Sequence, residues 1–231
     1  MPLSFCKLMT APLVFALLQP ASSHAQTIPS HFTYIERKQE VGPYVGYMSA
    51  GSGRFGYGPT GGPVFGTRYG IELSGPMSFE GVIGIVGGTR TVVDPGRDEG
   101  DRNIGEAAVS IATIDVRLKF SFAGERAWKG ISPFLTVGGG IAFDVGSPST
   151  FDETLLAEDV FDFGTSFFGT MGLGTRWFIS EAVALRADGV FSLWKIDTPP
   201  GFSDPSRGFL GVPEGEWLWG TSLNVALLYR W

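Results

Sequence analysis

The sequence predicts an all-β fold, an antiparallel up-and-down barrel of eight strands with apolar side chains on its outer wall and charges in its lumen. Three observations predict it. The last fifteen residues, Trp217 to Trp231, run to the end of the chain with strict period two: Leu223, Val225, Leu227, Tyr229 and Trp231 share one face, and Ser222, Asn224, Ala226, Leu228 and Arg230 fall between them. Such alternation is an extended strand with one apolar face. Seven more alternating segments precede it, joined by connections that are long and short in turn. Finally, only 17% of the 231 residues are charged and 34 are glycine, about twice the ordinary frequency of ~7%. These glycines sit inside the apolar alternation, where they relieve crowding in curved strands.

Residues 1–25 read as a cleaved secretory signal peptide. Lys7 precedes an apolar run from Leu8 to Leu18, and Ser23, His24 and Ala25 form a small-residue cleavage site before Gln26. No later segment approaches the roughly 18 apolar residues that a transmembrane helix needs. Cys6, the single cysteine, lies ahead of the apolar run, where a lipoprotein acceptor would lie after it. Once the leader is removed, neither disulfides nor thiol chemistry remain. Residues 26–40 have no clean period and are expected as a lead-in to a barrel domain of 41–231. His31, the only histidine left after cleavage, reads there as a surface residue.

From Val41 the strands are expected at 41–50, 64–73, 78–93, 107–122, 132–145, 161–179, 183–196 and 217–231. Long loops follow the first, third, fifth and seventh strands, and short turns follow the second, fourth and sixth. Both ends of the domain then lie on the short-turn side, the topology of an even-stranded membrane barrel. Eight strands enclose a lumen that side chains can fill.

The strand faces separate this barrel from a soluble one, which would put its apolar residues inside. In the sixth strand Phe161, Phe163, Phe167, Met171, Leu173, Trp177 and Ile179 share a parity, opposite Asp162, Ser166, Thr170 and Arg176. Phe161, Phe163, Trp177, Trp217 and Trp219 are expected in the aromatic girdles of the outer wall. In the fourth strand Asp115, Arg117 and Lys119 alternate with Ile114, Val116 and Leu118, but Val109 and Ile111 lie on the charged parity. A bulge near Ala112 or Thr113 would restore the pattern.

The inward parity collects Glu72, Glu80, Asp115, Asp144, Asp162 and Asp188 against Arg68, Arg90, Arg117, Lys119, Arg176, Arg186 and Arg230. Unpaired charges are costly in a narrow lumen, so these are expected to form a structural polar network. Tyr44, Phe134, Phe168, Phe178 and Trp194 share that parity, which argues for a plugged interior. The four long loops carry thirteen acidic and four basic residues, a net of −9 against −6 for the whole chain. This acidity suits cation-bridged contact with lipopolysaccharide phosphates or binding of a cationic partner; it gives nucleic acid no basic patch. Arg97 and Arg102 flank the densest group, Asp98, Glu99 and Asp101, and weaken it as a calcium site.

Two motif matches carry no chemistry. Gly51 to Gly56 satisfies G-x-G-x-x-G without a following helix. Ser192 and Lys195 satisfy S-x-x-K, but a separation of three on a strand puts them on opposite faces.

The terminal strand, closing on Tyr229 and Trp231, resembles the C-terminal insertion signal of the bacterial eight-stranded outer-membrane β-barrel family, the OmpA/OmpX-like barrels, and the pattern over about 41–231 is similar to that family throughout. The resemblance implies Sec export, a Gram-negative outer membrane, both termini in the periplasm, and assembly by the barrel-assembly machinery, which would read Leu223, Val225, Leu227, Tyr229 and Trp231. It implies roles in membrane integrity, adhesion or surface recognition, with lipid and lipopolysaccharide as surroundings and a single copy favoured. No peptidoglycan-binding domain is expected, and no catalytic, cofactor or metal site. The alternative function is a narrow channel or conduit for small or apolar solutes. A lipid-A-modifying barrel enzyme stands behind both, because barrel enzymes of that class use a histidine near the outer rim and this chain offers only His31.

Overall fold

The computed structural model describes residues 30–231; the expected signal peptide and the start of the lead-in lie outside them. Ten strands follow in order: β1 (Phe32–Tyr34), β2 (Gln39–Ala50), β3 (Gly61–Ser74), β4 (Met77–Val93), β5 (Asn103–Ser121), β6 (Arg126–Trp128), β7 (Ile131–Asp144), β8 (Thr165–Phe178), β9 (Val183–Asp197) and β10 (Gly215–Arg230). The eight long ones are those expected, with ends shifted by up to four residues. Each pairs antiparallel with its neighbours in the chain, and β10 pairs back onto β2 to close the ring. The short β1 and β6 pair with each other outside the ring.

The period-two pattern does what it predicts. On β10, Trp217, Trp219, Leu223, Val225, Leu227 and Tyr229 are exposed, while Leu218, Asn224, Ala226, Leu228 and Arg230 are buried. The ladders place exposed apolar residues side by side around the ring, as with Leu223 opposite Tyr47 and Val225 opposite Val45. A continuous apolar wall of this kind would aggregate in water, so its solvent is lipid. Trp219 and Tyr229 mark the height of the band. Ten residues span about 33 Å of strand, or about 25 Å along the axis at the usual tilt, which matches the hydrocarbon band of outer-membrane barrels.

The structure corrects the expected pattern in several places. β5 carries no bulge at Ala112 or Thr113. Its pairing with β4 runs unbroken from Met77 opposite Phe120 to Val92 opposite Gly105, and Val109 and Ile111 do point inward. They belong to an apolar half of the lumen, so alternation alone could not show which lining each segment required. Phe161 and Phe163 are not girdle residues. The strand begins only at Thr165, after Gly164 turns the backbone through a left-handed φ of 58°, and the parity count is broken there. Both rings fold inward and are buried. Asp144 and Asp162 are exposed near the loops and stand outside the lumen network. The lead-in is not featureless either: β1 forms within it, and Gln39 and Glu40 already belong to β2.

Candidate functional site

The lumen is divided into a charged layer toward the short turns and an apolar chamber toward the long loops. The charged layer is built by strands that face each other across the tube. Arg176 on β8 donates through Nη1 to Glu72 on β3 (2.7 Å) and to Glu40 on β2 (3.0 Å). Lys119 on β5 donates to Glu40 (2.5 Å). One layer higher, Arg186 on β9 bonds Glu80 on β4 and, through Nε, Asp188 (2.9 Å). Arg68 on β3 reaches the same Asp188 oxygen at 2.9 Å. Arg117 and Asp115 pair along β5 at 2.5 Å and 3.0 Å.

Aromatic rings fill the gaps between these charges. The Arg186 guanidinium lies 4.4 Å from the centre of Phe134, that of Arg68 lies 4.6 Å from Tyr44, and that of Arg230 lies 4.5 Å from Phe178. Arg68, Arg176, Arg186, Lys119 and Glu80 are fully buried. Buried charges persist only when paired and hydrogen-bonded, and here each carboxylate of the layer meets a cation. Such a layer crosses the lumen with paired, buried side chains.

Above it the lumen is lined by Met48, Val64, Val86, Val109, Ile111 and Phe168, with Trp194 beside them. The chamber holds a cavity of about 60 Å³ whose floor is Arg68, Asp115, Arg117 and Asn224. Its roof is made by the loops. Phe55 and Tyr57 from loop 51–60, Phe161 from loop 145–164, and Phe202 and Phe209 from loop 198–214 pack in tilted and edge-on contacts at 4.9–5.6 Å between ring centres. Arg102 from loop 94–102 lies 4.7 Å over Phe209, so all four loops join one cap.

Ion pairs stitch the cap together. Arg90, expected in the lumen network, instead stands at its loop-side end and holds Asp152 of loop 145–164 at 2.6 Å. Arg207 of loop 198–214 holds Asp159 at 2.5 Å and Glu158 at 2.7 Å. Burial pushes the Asp152 carboxyl up, but the Arg90 guanidinium and the Ser149 N–H outweigh it and hold the carboxyl below its ordinary value. Asp159 raises the Arg207 guanidinium above its ordinary value.

With the bounds the structure gives, the four loops hold eleven acidic and four basic residues, a net of −7. Asp98, Glu99, Asp101, Glu153, Glu158, Asp162 and Glu214 remain exposed on this face. Among the described residues no group of three or more metal-ligating side chains comes together. His31 is exposed beside β1, at the turn end, separated from the capped loops by the length of β2.

Of the residues singled out from the sequence, Arg68, Glu72, Glu80, Asp115, Arg117, Lys119, Arg176, Arg186 and Asp188 meet in the charged layer, with Arg230 beside it at 3.9 Å from Glu40. Trp177, Trp217 and Trp219 are on the outer wall. Glu40, the partner shared by Lys119 and Arg176, was not visible as a lumen residue, because its segment lacks a repeating pattern; its even parity with Gly42 and Tyr44 was the available signal. The aromatic cap was also missed. Its rings lie far apart in irregular loops, where no period announces a shared contact.

The chain matches no protein-family model and no curated protein sequence. Among solved structures it is similar to the outer membrane protein OprG from Pseudomonas aeruginosa, at 11% identity and a TM-score of 0.55, over 86% of this chain and 97% of that one. It also aligns with Neisserial surface protein A, at 13% identity and a TM-score of 0.41, over 87% of this chain and 98% of that one. At this identity what is shared with OprG is the fold. The chain is thus a closed, eight-stranded antiparallel barrel of the outer-membrane type.

Proposed function

We propose that this protein is an integral outer-membrane barrel without catalytic activity, whose rigid wall presents a capped, acidic loop face for structural or adhesive contact at the cell surface. The observation that carries this reading is the double closure of the lumen. Ion pairs span the tube on one side and the aromatic cap covers the other, which favours contact through the loop face over passage through the lumen. Its exposed carboxylates suit divalent-cation bridges to lipopolysaccharide phosphates, or a cationic partner. The terminal strand, Leu223 to Trp231, serves in this reading as the insertion signal for the barrel-assembly machinery.

Two measurements on the reconstituted protein test it. Planar bilayers should show no stepwise conductance. Binding to lipopolysaccharide in magnesium should fall several-fold when Asp98, Glu99 and Asp101 are replaced together by Asn, Gln and Asn. Unchanged binding in that variant would remove the acidic loops from the function.

A second reading, a narrow conduit for small or apolar solutes, is favoured by the apolar chamber alone. Passage through it would require the Arg186–Glu80 and Arg176–Glu72 pairs to separate, and stepwise conductance in bilayers would favour this reading over the first.

A further inference from the structure

β1 and β6 take no part in closing the barrel, yet they are firmly built. Phe32 lies opposite Trp128, Thr33 opposite Ala127, and Tyr34 opposite Arg126. The Ile35 N–H donates to the Glu125 carbonyl (2.8 Å) and the Lys129 N–H to the His31 carbonyl (2.9 Å). The Tyr34 hydroxyl donates to the Glu125 carboxylate (2.5 Å). Lys129, the one described non-glycine residue with positive φ (49°), makes the tight reversal that sets β6 against β7.

Directly opposed residues in an antiparallel ladder share a face, so the pairings fix which way this flap looks. Trp128 is opposite Ile131, Ile131 is opposite Trp177, Trp177 is opposite Leu185, and Leu185 is opposite Leu227. Ile131, Trp177 and Leu227 are exposed on the outer wall. Phe32 and Trp128 therefore continue the same row beyond the ring, and they are 48% and 50% exposed. Tyr34, two residues on, shares their face with Arg126 opposite it, and Tyr34 also borders the cavity beneath the flap. The other face is different in kind: Ala127 is buried and, with Thr33 and Ile35, borders a cavity of about 290 Å³ shared with Phe178 and Arg230.

We propose that the flap is a membrane foot, whose Phe32, Tyr34 and Trp128 face docks into the lipid headgroup layer of the leaflet at the turn end. The occupant is lipid because the face is continuous with a wall already solvated by lipid. Its composition agrees: two rings with polar tips, and a lysine whose ammonium lies 5.4 Å from the Trp128 ring centre, are what settle at a membrane interface. The foot rests on the reading of the outer wall as lipid-facing, and its test carries a separate reference for that reading.

Single cysteines at 32, 33, 99 and 137, in a Cys6→Ser background, carry nitroxide labels in full-length protein reconstituted into phosphatidylcholine and phosphatidylglycerol bilayers. Relaxation by oxygen, which concentrates in lipid, is compared with relaxation by a water-soluble nickel chelate. Phe32→Cys should give an oxygen-to-nickel ratio several-fold above that of Glu99→Cys in an exposed loop, and below that of Val137→Cys at mid-wall. Thr33→Cys, on the cavity face, should stay near Glu99→Cys. Equal ratios at Phe32→Cys and Glu99→Cys, with Val137→Cys still high, would overturn the foot and leave the barrel reading standing. A low ratio at Val137→Cys would overturn both. Tyr34→Cys repeats the measurement on the same face and decides the matter if the Phe32→Cys protein does not insert.

Discussion

Arg176 and Glu72 meet across the full width of the barrel, 2.7 Å apart, from strands that lie opposite each other in the ring. The same guanidinium holds Glu40 and the Ser121 hydroxyl. Arg176→Met should therefore leave two carboxylates short of a cation and cost about 3–5 kcal/mol, read as a lower urea midpoint for the barrel in lipid vesicles. Adding Glu72→Gln to that variant should recover part of the loss, because contacting residues are not additive. Simple addition of the two single effects would show that the pair does not act as a unit.

Gly201 allows loops 145–164 and 198–214 to touch. A Cβ there would fall 1.8 Å from Asp159 Oδ1 and 2.9 Å from Arg207 Nη1. Gly201→Ala should displace the Arg207–Asp159 contact and loosen the cap while the barrel stays folded. Limited proteolysis should then cut the loops faster, with unboiled gel migration unchanged. Equal cutting rates would show that the cap does not depend on that contact.

The Arg90–Asp152 stitch gives the cap a dependence on acid. A carboxyl held below its unfolded value adds stability that is fully present above that value and is lost as pH falls through the folded one. Protection of the amides of residues 145–164 against hydrogen exchange, taken relative to the intrinsic rate at each pH, should be high at neutral pH and fall below about pH 4. Arg90→Gln should exchange faster at neutral pH and show a flatter profile. Matching profiles in the two proteins would locate the acid response elsewhere.

At the closing strand, Tyr229 and Trp231 stack on each other at 5.8 Å and Trp231 lies 6.2 Å from Tyr69, both on the outer wall. Tyr229→Ala with Trp231→Ala should lower the amount of protein in the outer membrane several-fold. Heat-modifiable migration of the unboiled wild-type protein provides the reference for a closed barrel. Normal outer-membrane levels of the double variant would contradict the insertion role of this strand.

The eight spans were legible because each is a long regular strand between two unlike environments, and period two records that contrast residue by residue. The apolar wall and the charges of the lower lumen, such as Arg186 between Leu185 and Ala187, follow from it directly. Legibility failed where the contrast vanished. Val109 and Ile111 face an apolar chamber, so their strand has apolar residues on both sides; Phe161 and Phe163 share the parity of Phe167 but lie beyond the turn at Gly164.

By itself the sequence determined the eight spans of the ring, their closing order and the facing of those with one apolar side, since these follow from local alternation and loop length. Only the tertiary structure decided which charges pair, that Arg90 holds a loop and Glu40 completes the charged layer, and that the rings of three loops form one cap. The contacts that cross the lumen or join two loops, such as Arg176–Glu72 and Arg90–Asp152, link residues many tens of positions apart. Their geometry comes from the curvature and register of the closed ring, which no local pattern records.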